Sequence, residues 1–187
     1  MKSSILIKFA ETEDELKQIL KLQSSNLIHN VAADAKRSDG FVTVKHNLDL
    51  LTKMNNAARQ IIAVDNDIVV GYALVMLKEF SELIPVLSPM FEMFNKLSFK
   101  SKRLSDCSFY VMGQICISEN YRGRGVFEKL YLHHKKAYSD VFDICVTEVS
   151  AKNKRSMRAH QKIGFQTIHN FQDKTDIWNI LVWDWSN

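Results

Sequence analysis

The sequence predicts an α/β (α+β) fold: a mixed, mostly antiparallel twisted sheet of about seven strands with a central parallel pair, flanked by about four helices. Three observations predict it. Segments of strand character recur at 5–9, 60–65, 68–77, 109–117, 143–149, 165–171 and 177–185. Helical apolar spacing falls between them, at 12–23, 124–139 and 153–163. The 187 residues are 46% hydrophobic with only six glycines and two prolines, enough apolar material for one well-buried core and one domain over 1–187.

Ile5 to Phe9 alternates weakly and reads as a first strand. Thr12 followed by Glu15 is a capping-box signature that opens a helix to about Gln23. Residues 25–46 are polar and irregular, and Asn47 caps a short helix carrying Leu48, Leu51 and Met54. The next two strands are joined by Asp65-Asn66-Asp67, a hairpin turn that makes them antiparallel. In the long connection that follows, Met90, Phe91, Met93, Phe94 and Leu97 come after Pro89 and predict a short helix with a broad apolar face. An insertion of this length reads as a surface lid or interface, which leaves room for a homodimer. From 109 onward strand, helix and strand form a parallel βαβ unit, and the last two strands return antiparallel.

Several function classes are excluded by composition. Ile5-Leu6-Ile7 is cut by Lys8 and followed by the acids from Glu11 to Glu15, which is not a signal-peptide pattern. No run of about 18 apolar residues occurs, so a soluble, cytoplasmic protein without a membrane partner is expected. Cys107, Cys116 and Cys145 lack paired spacing and read as reduced thiols, with no metal site. The net charge is +4, but residues 122–162 alone carry +6, concentrating positive potential where a polyanion could use it. Nothing supports nucleic acid as that polyanion, because no interleaved aromatic platform accompanies the basic residues.

Two segments carry the chemistry. Arg122-Gly123-Arg124-Gly125 lies where a buried strand meets a helix N-terminus, which aims backbone N–H groups and the positive helix end at one point. Glycine lets a phosphate approach the backbone, so a diphosphate is the natural guest. The run matches neither a Walker loop, lacking Lys-Ser or Lys-Thr after Gly125, nor the dinucleotide fingerprint, lacking its last glycine. In the second segment Asn153, Ser156, Met157, His160 and Ile163 share one helical arc, opposite Lys154, Arg155, Arg158 and Lys162. Inward polar groups need partners. Either a polar ligand runs along this helix, or Asn153 caps it, Ser156 bonds its own backbone and His160 is a satisfied core histidine.

Together the segments resemble the GNAT superfamily of N-acetyltransferases. Arg122, Gly125 and Phe127 match its R-x-x-G-x-G/A phosphate loop, and Asn153, Ser156, His160, Gly164 and Phe165 match its N-x-x-A/S-x-x-x-Y-x-x-x-G-F segment. Two positions depart from the pattern. Phe127 replaces a small residue and joins Val126, Leu130, Tyr131 and His134 on an inward arc, and His160 replaces a tyrosine acid.

The resemblance implies direct acetyl transfer from acetyl-CoA to a small-molecule or peptide amine. Strand backbone at Ile115, Cys116 and Ile117 would hold the pantetheine arm and the oxyanion. Amides of Arg122, Gly123, Arg124, Gly125, Val126 and Phe127 would bind the diphosphate, and Asn153 and Ser156 would contact the cofactor. His160 would protonate the departing thiolate, with Glu148 as the nearest motif carboxylate to serve as base. A strand glutamate could equally face solvent or pair with lysine. A covalent route through Cys116 conflicts with its place in an apolar strand, where the thiol is inert. A CoA-binding protein without turnover is the alternative. Acceptor determinants are expected in 25–58 and 80–108, the segments least like the family.

Overall fold

The computed structural model describes residues 4–27, 30 and 41–186. Local signals set the ends of most elements. β1 (Leu6–Phe9) leads into α1 (Glu13–Asn26), whose start is fixed by a reciprocal box: the Glu15 amide donates to Thr12 Oγ1 at 3.2 Å and the Thr12 amide to Glu15 Oε2 at 3.0 Å. Asn47 Oδ1 accepts from the Leu50 amide at 2.8 Å and starts α2 (Leu48–Ala57). β2 (Ile61–Asp65) and β3 (Ile68–Met76) are joined by Asn66 and Asp67, both at positive φ (49° and 64°), as a two-residue turn between twisted strands requires.

After β3 come 3₁₀ turns, then α3 (Ser88–Phe94) with Pro89 in its first turn, and a small hairpin of β4 (Ser98–Phe99) and β5 (Lys102–Arg103) that the sequence did not signal. β6 (Phe109–Ile117), α4 (Val126–Tyr138) and β7 (Ile144–Ser150) form the βαβ unit. α5 (Lys154–Ile163), β8 (Gln166–Gln172) and β9 (Ile177–Asp184) complete the described residues. The seven long strands make one sheet in the order β1-β2-β3-β6-β7-β9-β8, antiparallel everywhere except between β6 and β7. Among the described residues no helix is long and apolar enough to cross a membrane.

The insertion departs from expectation. Of its apolar residues Met90 (2% exposed), Phe94 (1%) and Leu104 (0%) are core rather than lid, while Phe91, Met93 and Leu97 are half-buried against them, and Phe94 meets Phe109 edge to face at 5.6 Å between ring centres. They share one apolar cluster with Leu16 and Ile19 of α1, Leu51 and Met54 of α2, and Ile144, Val146 and Ile180 of the sheet. The insertion therefore extends the cover that α1 and α2 provide on that face. On the other face Val126, Leu130 and Tyr131 of α4 pack with Tyr110, Cys145, Phe165 and Trp183. Cys116 and Cys145 are buried and Cys107 is half-buried, all as free thiols.

One polar group crosses the first face. Gln23 Nε2 donates to Gln114 Oε1 (2.7 Å) and to His46 Nδ1 (2.8 Å), and Tyr72 Oη donates to Gln114 Oε1 (2.6 Å). Gln114 Nε2 donates to the Val44 carbonyl (2.8 Å), and the His46 amide to Gln23 Oε1 (2.8 Å). A satisfied buried network of this kind specifies one arrangement. Here it straps residues 42–46 across β6.

Candidate active site

The site begins where two parallel strands part. β6 and β7 pair only through Phe109, Tyr110 and Val111 against Ile144, Cys145 and Val146. Just beyond, the β6–β3 register slips between Leu74 and Val75, which leaves Gly113 as an extra residue on β6. Such a bulge bends its strand, and Cβ growth is tightly limited at Gly113, since an added atom would lie 3.2 Å from Met76 Cβ. Thr147 Oγ1 donates to the Met112 carbonyl at 3.0 Å at the fork. Past the fork β6 no longer pairs with β7, which leaves its β7-side edge open to a ligand except where the Met112 carbonyl accepts from Thr147 and the Ile117 carbonyl from Arg122.

A groove runs along this opening in two adjoining parts, whose shared walls are Phe41, Val42, Ile115, Asn153 and Ser156. The larger part adds Cys116, Ile117, Arg122, Gly123, Phe127 and Arg155; the smaller adds Met112, Gly113, Thr147, Glu148, His160 and Trp178. At the outer end of the larger part, Gly123 (φ 74°) and Gly125 (φ 75°) are left-handed, and Gly125 caps α4. An added Cβ at either glycine would meet nothing within 4 Å. Glycine is required there by backbone conformation, and the space beside it stays open for a ligand. The open turn, the helix end and the freed strand edge fit a diphosphate with a thin polar arm.

No protein-family model matches the sequence, and no curated protein does. Solved structures do match. yncA of Salmonella typhimurium, solved with its cofactor acetyl-CoA, superposes with a TM-score of 0.66 at 15% identity, over 99% of this chain and 96% of that one. An N-acetyltransferase from Staphylococcus aureus Mu50 gives 0.65 at 18% identity over 98% and 100%. Arabidopsis thaliana Naa50 in complex with the bisubstrate analogue CoA-Ac-MVNAL gives 0.64 at 16% identity over 97% and 99%. This chain has the GNAT fold.

Of the residues singled out in the two motifs, Arg122, Gly123, Phe127, Asn153, Ser156 and His160 line the groove, and Arg124, Gly125 and Val126 do not. Arg122 points inward: Nε donates to the Ile117 carbonyl (3.1 Å) and Nη2 to Asn26 Oδ1 (2.8 Å), so it ties the strand end to α1. Arg124 lies over the Tyr121 ring at 5.2 Å. The Val126 side chain is core, 1% exposed, leaving only its amide for a ligand. Phe127 lines the groove and packs edge to face on His160 at 5.1 Å. Asn153 caps α5, accepting from the Ser156 amide at 3.1 Å, while also facing both parts of the groove. Burial pushes the Cys116 thiol up to about 12, which makes it a poor nucleophile.

His160 meets a geometry unlike that of a stored acid. It is 1% exposed. Its Nδ1–H donates to the Ser156 carbonyl (2.8 Å), and its Nε2 accepts from the Tyr131 hydroxyl (2.6 Å). Burial lowers its pKa to about 4, so the ring is neutral at pH 7 and both nitrogens are engaged within the core. Glu148 also departs from the simplest expectations, facing neither open solvent nor a lysine. It continues the β7 row of Ile144 and Val146, which are core, out to the groove. Its Oε2 is buried without a hydrogen-bond partner among the described residues, and burial, with Asp173 nearby, raises its pKa to about 8.

The sequence marked the opposite wall only as the broad segment 25–58, and did not single out Trp178. Phe41, Val42 and Thr43 reach the groove only because the strap is held down, and Trp178 because β9 pairs with β7 at Ser150. Of the segments expected to hold acceptor determinants, 25–58 contributes Asn26 and 41–43, its residues 28, 29 and 31–40 lying outside the described residues. Nothing described from 80–108 lines the groove. Among the described residues no group of three or more His, Cys, Asp or Glu could hold a metal.

Proposed function

We propose that this chain is an acetyl-CoA-dependent N-acetyltransferase, acting on an amine within the smaller part of the groove. One observation carries the reading: a single groove along the forked strands joins a left-handed glycine turn at a helix N-terminus to a buried, unpartnered carboxylate. In it, amides from Gly123 to Phe127 hold the diphosphate, the Arg122 amide being bonded to the Glu119 carbonyl, and the open edge of β6 at Ile115 and Ile117 holds the pantetheine arm and the carbonyl oxygen. Asn153 and Ser156 flank that arm. Acetyl-CoA supplies an activated acyl carbonyl. Glu148 takes a proton from the acceptor ammonium and exposes its lone pair, and a carboxyl with a raised pKa suits that task because the transfer is less uphill. The exchange as a whole forms one C–N bond, breaks one C–S bond and releases one proton for each ammonium acetylated. His160 acts as a positioning residue, fixing Tyr131 and the first turn of α5.

The neutral, engaged His160 favours one other reading, a protein that binds CoA without turning it over. Calorimetry with acetyl-CoA and thiol release over a pooled amine panel separate the two. We expect binding, a raised Tm and thiol release. Gly125→Asp, which sets a negative side chain against the diphosphate, should weaken binding at least tenfold. Absence of binding at millimolar acetyl-CoA overturns both readings, and binding without release across the panel overturns transfer alone.

A further inference from the structure

We infer that the acceptor is an amine with no carboxylate beside its nitrogen, either an aralkyl amine or the N-terminus of a peptide, in preference to a free α-amino acid. The inference rests on the proposed transfer reaction and concerns the smaller part of the groove. Glu148 is the one acidic side chain among the described residues lining it, and neither Lys nor Arg is among them. Its buried Oε2 has no hydrogen-bond partner, so a bound ammonium supplies the cation beside which this carboxyl ionises. Phe41 and Trp178 give the same space aromatic faces, which favour a cation and an apolar substituent together.

Asp173 adds to the negative field from the β8–β9 turn. Its Oδ1 accepts from the Thr175 amide (2.7 Å), the Thr175 hydroxyl (2.6 Å) and the Asp176 amide (2.9 Å). Burial raises its pKa, but these bonds bring it down to about 2, so it is ionised at pH 7. An α-carboxylate would stand one carbon from the ammonium, within reach of Glu148. The cations Arg122 and Arg155 line the larger part, on the diphosphate side. Like charges set side by side at a half-buried carboxyl select against a ligand.

The test uses four ligands with one side chain: phenethylamine, phenylalanine amide, a short peptide beginning with phenylalanine, and phenylalanine itself. Affinity is measured by calorimetry on the protein saturated with CoA, which reads the site whether or not chemistry follows, and kcat/KM is measured with acetyl-CoA. Phenylalanine should bind about 100-fold more weakly than its amide. Glu148→Gln should bring the two within about threefold in binding, since the repulsion is then removed. The ratio of peptide to phenethylamine affinity tells which source the groove prefers. Phenylalanine binding within threefold of its amide in the parent protein overturns the inference. Selective binding without thiol release would instead leave it standing and overturn the transfer reaction.

Discussion

Glu148 and His160 are two buried titratable side chains whose surroundings push them toward opposite uses. Glu148 lies in a groove without a partner, and the raised pKa that suits a base also costs stability. Its folded carboxyl holds a proton up to about pH 8, against an ordinary 4.5, so its contribution to folding is present at low pH and is lost as pH rises toward 8. Glu148→Gln should therefore lower kcat by about 10²-fold or more at pH 7.5 while raising Tm at pH 8.5. Steady-state kinetics and thermal melts check the pair, and unchanged kcat would remove Glu148 from the chemistry. His160 is matched on both nitrogens, so His160→Phe leaves the Tyr131 hydroxyl buried and unpaired, at about 1–3 kcal/mol. Urea unfolding should show that loss, with kcat within about tenfold of the parent. A drop in kcat beyond 10²-fold with stability intact would return the ring to the proton transfer.

Among the elements, the insertion between β3 and β6 shows the reach of periodicity. Its apolar stripe was legible after Pro89, but a stripe says that something must cover a face, not what covers it. α3 joins the cover that α1 and α2 give this face, with Phe94 packed on Phe109 of β6. Phe94→Ala should accordingly cost about 3–5 kcal/mol and leave the acceptor KM within about twofold. Unfolding midpoints and kinetics decide, and a large KM change with little loss of stability would restore the lid. The glycine turn before α4 was legible because glycines at a helix start are a local signal. The Gly113 bulge was not, since a bulge exists only relative to the partner strand.

Across the whole molecule, buried imidazoles set the response to acid. Burial lowers His46 to about 4, His134 to about 3 and His160 to about 4. Each is neutral when folded but binds a proton near pH 6.5 when unfolded, so its contribution is lost as pH falls from 6.5 toward 4. Glu148 runs the other way above pH 6.5. Tm should peak near pH 6.5 and fall on both sides, by about 2–4 °C per kcal/mol lost. Melts from pH 4.5 to 8.5 test this, and a Tm still climbing from pH 7 to 8.5 would mean that Glu148 ionises without cost. The order of strands and helices, their caps and the glycine turn were determined by sequence alone, because each depends on residues a few positions apart. Whether Glu148 met solvent, lysine or a groove, and whether the His160 nitrogens found partners in the core, was decided only by tertiary structure. Burial and pairing there come from distant segments, as in the bond from Gln23 to Gln114, 91 residues along the chain, that holds the strap across β6.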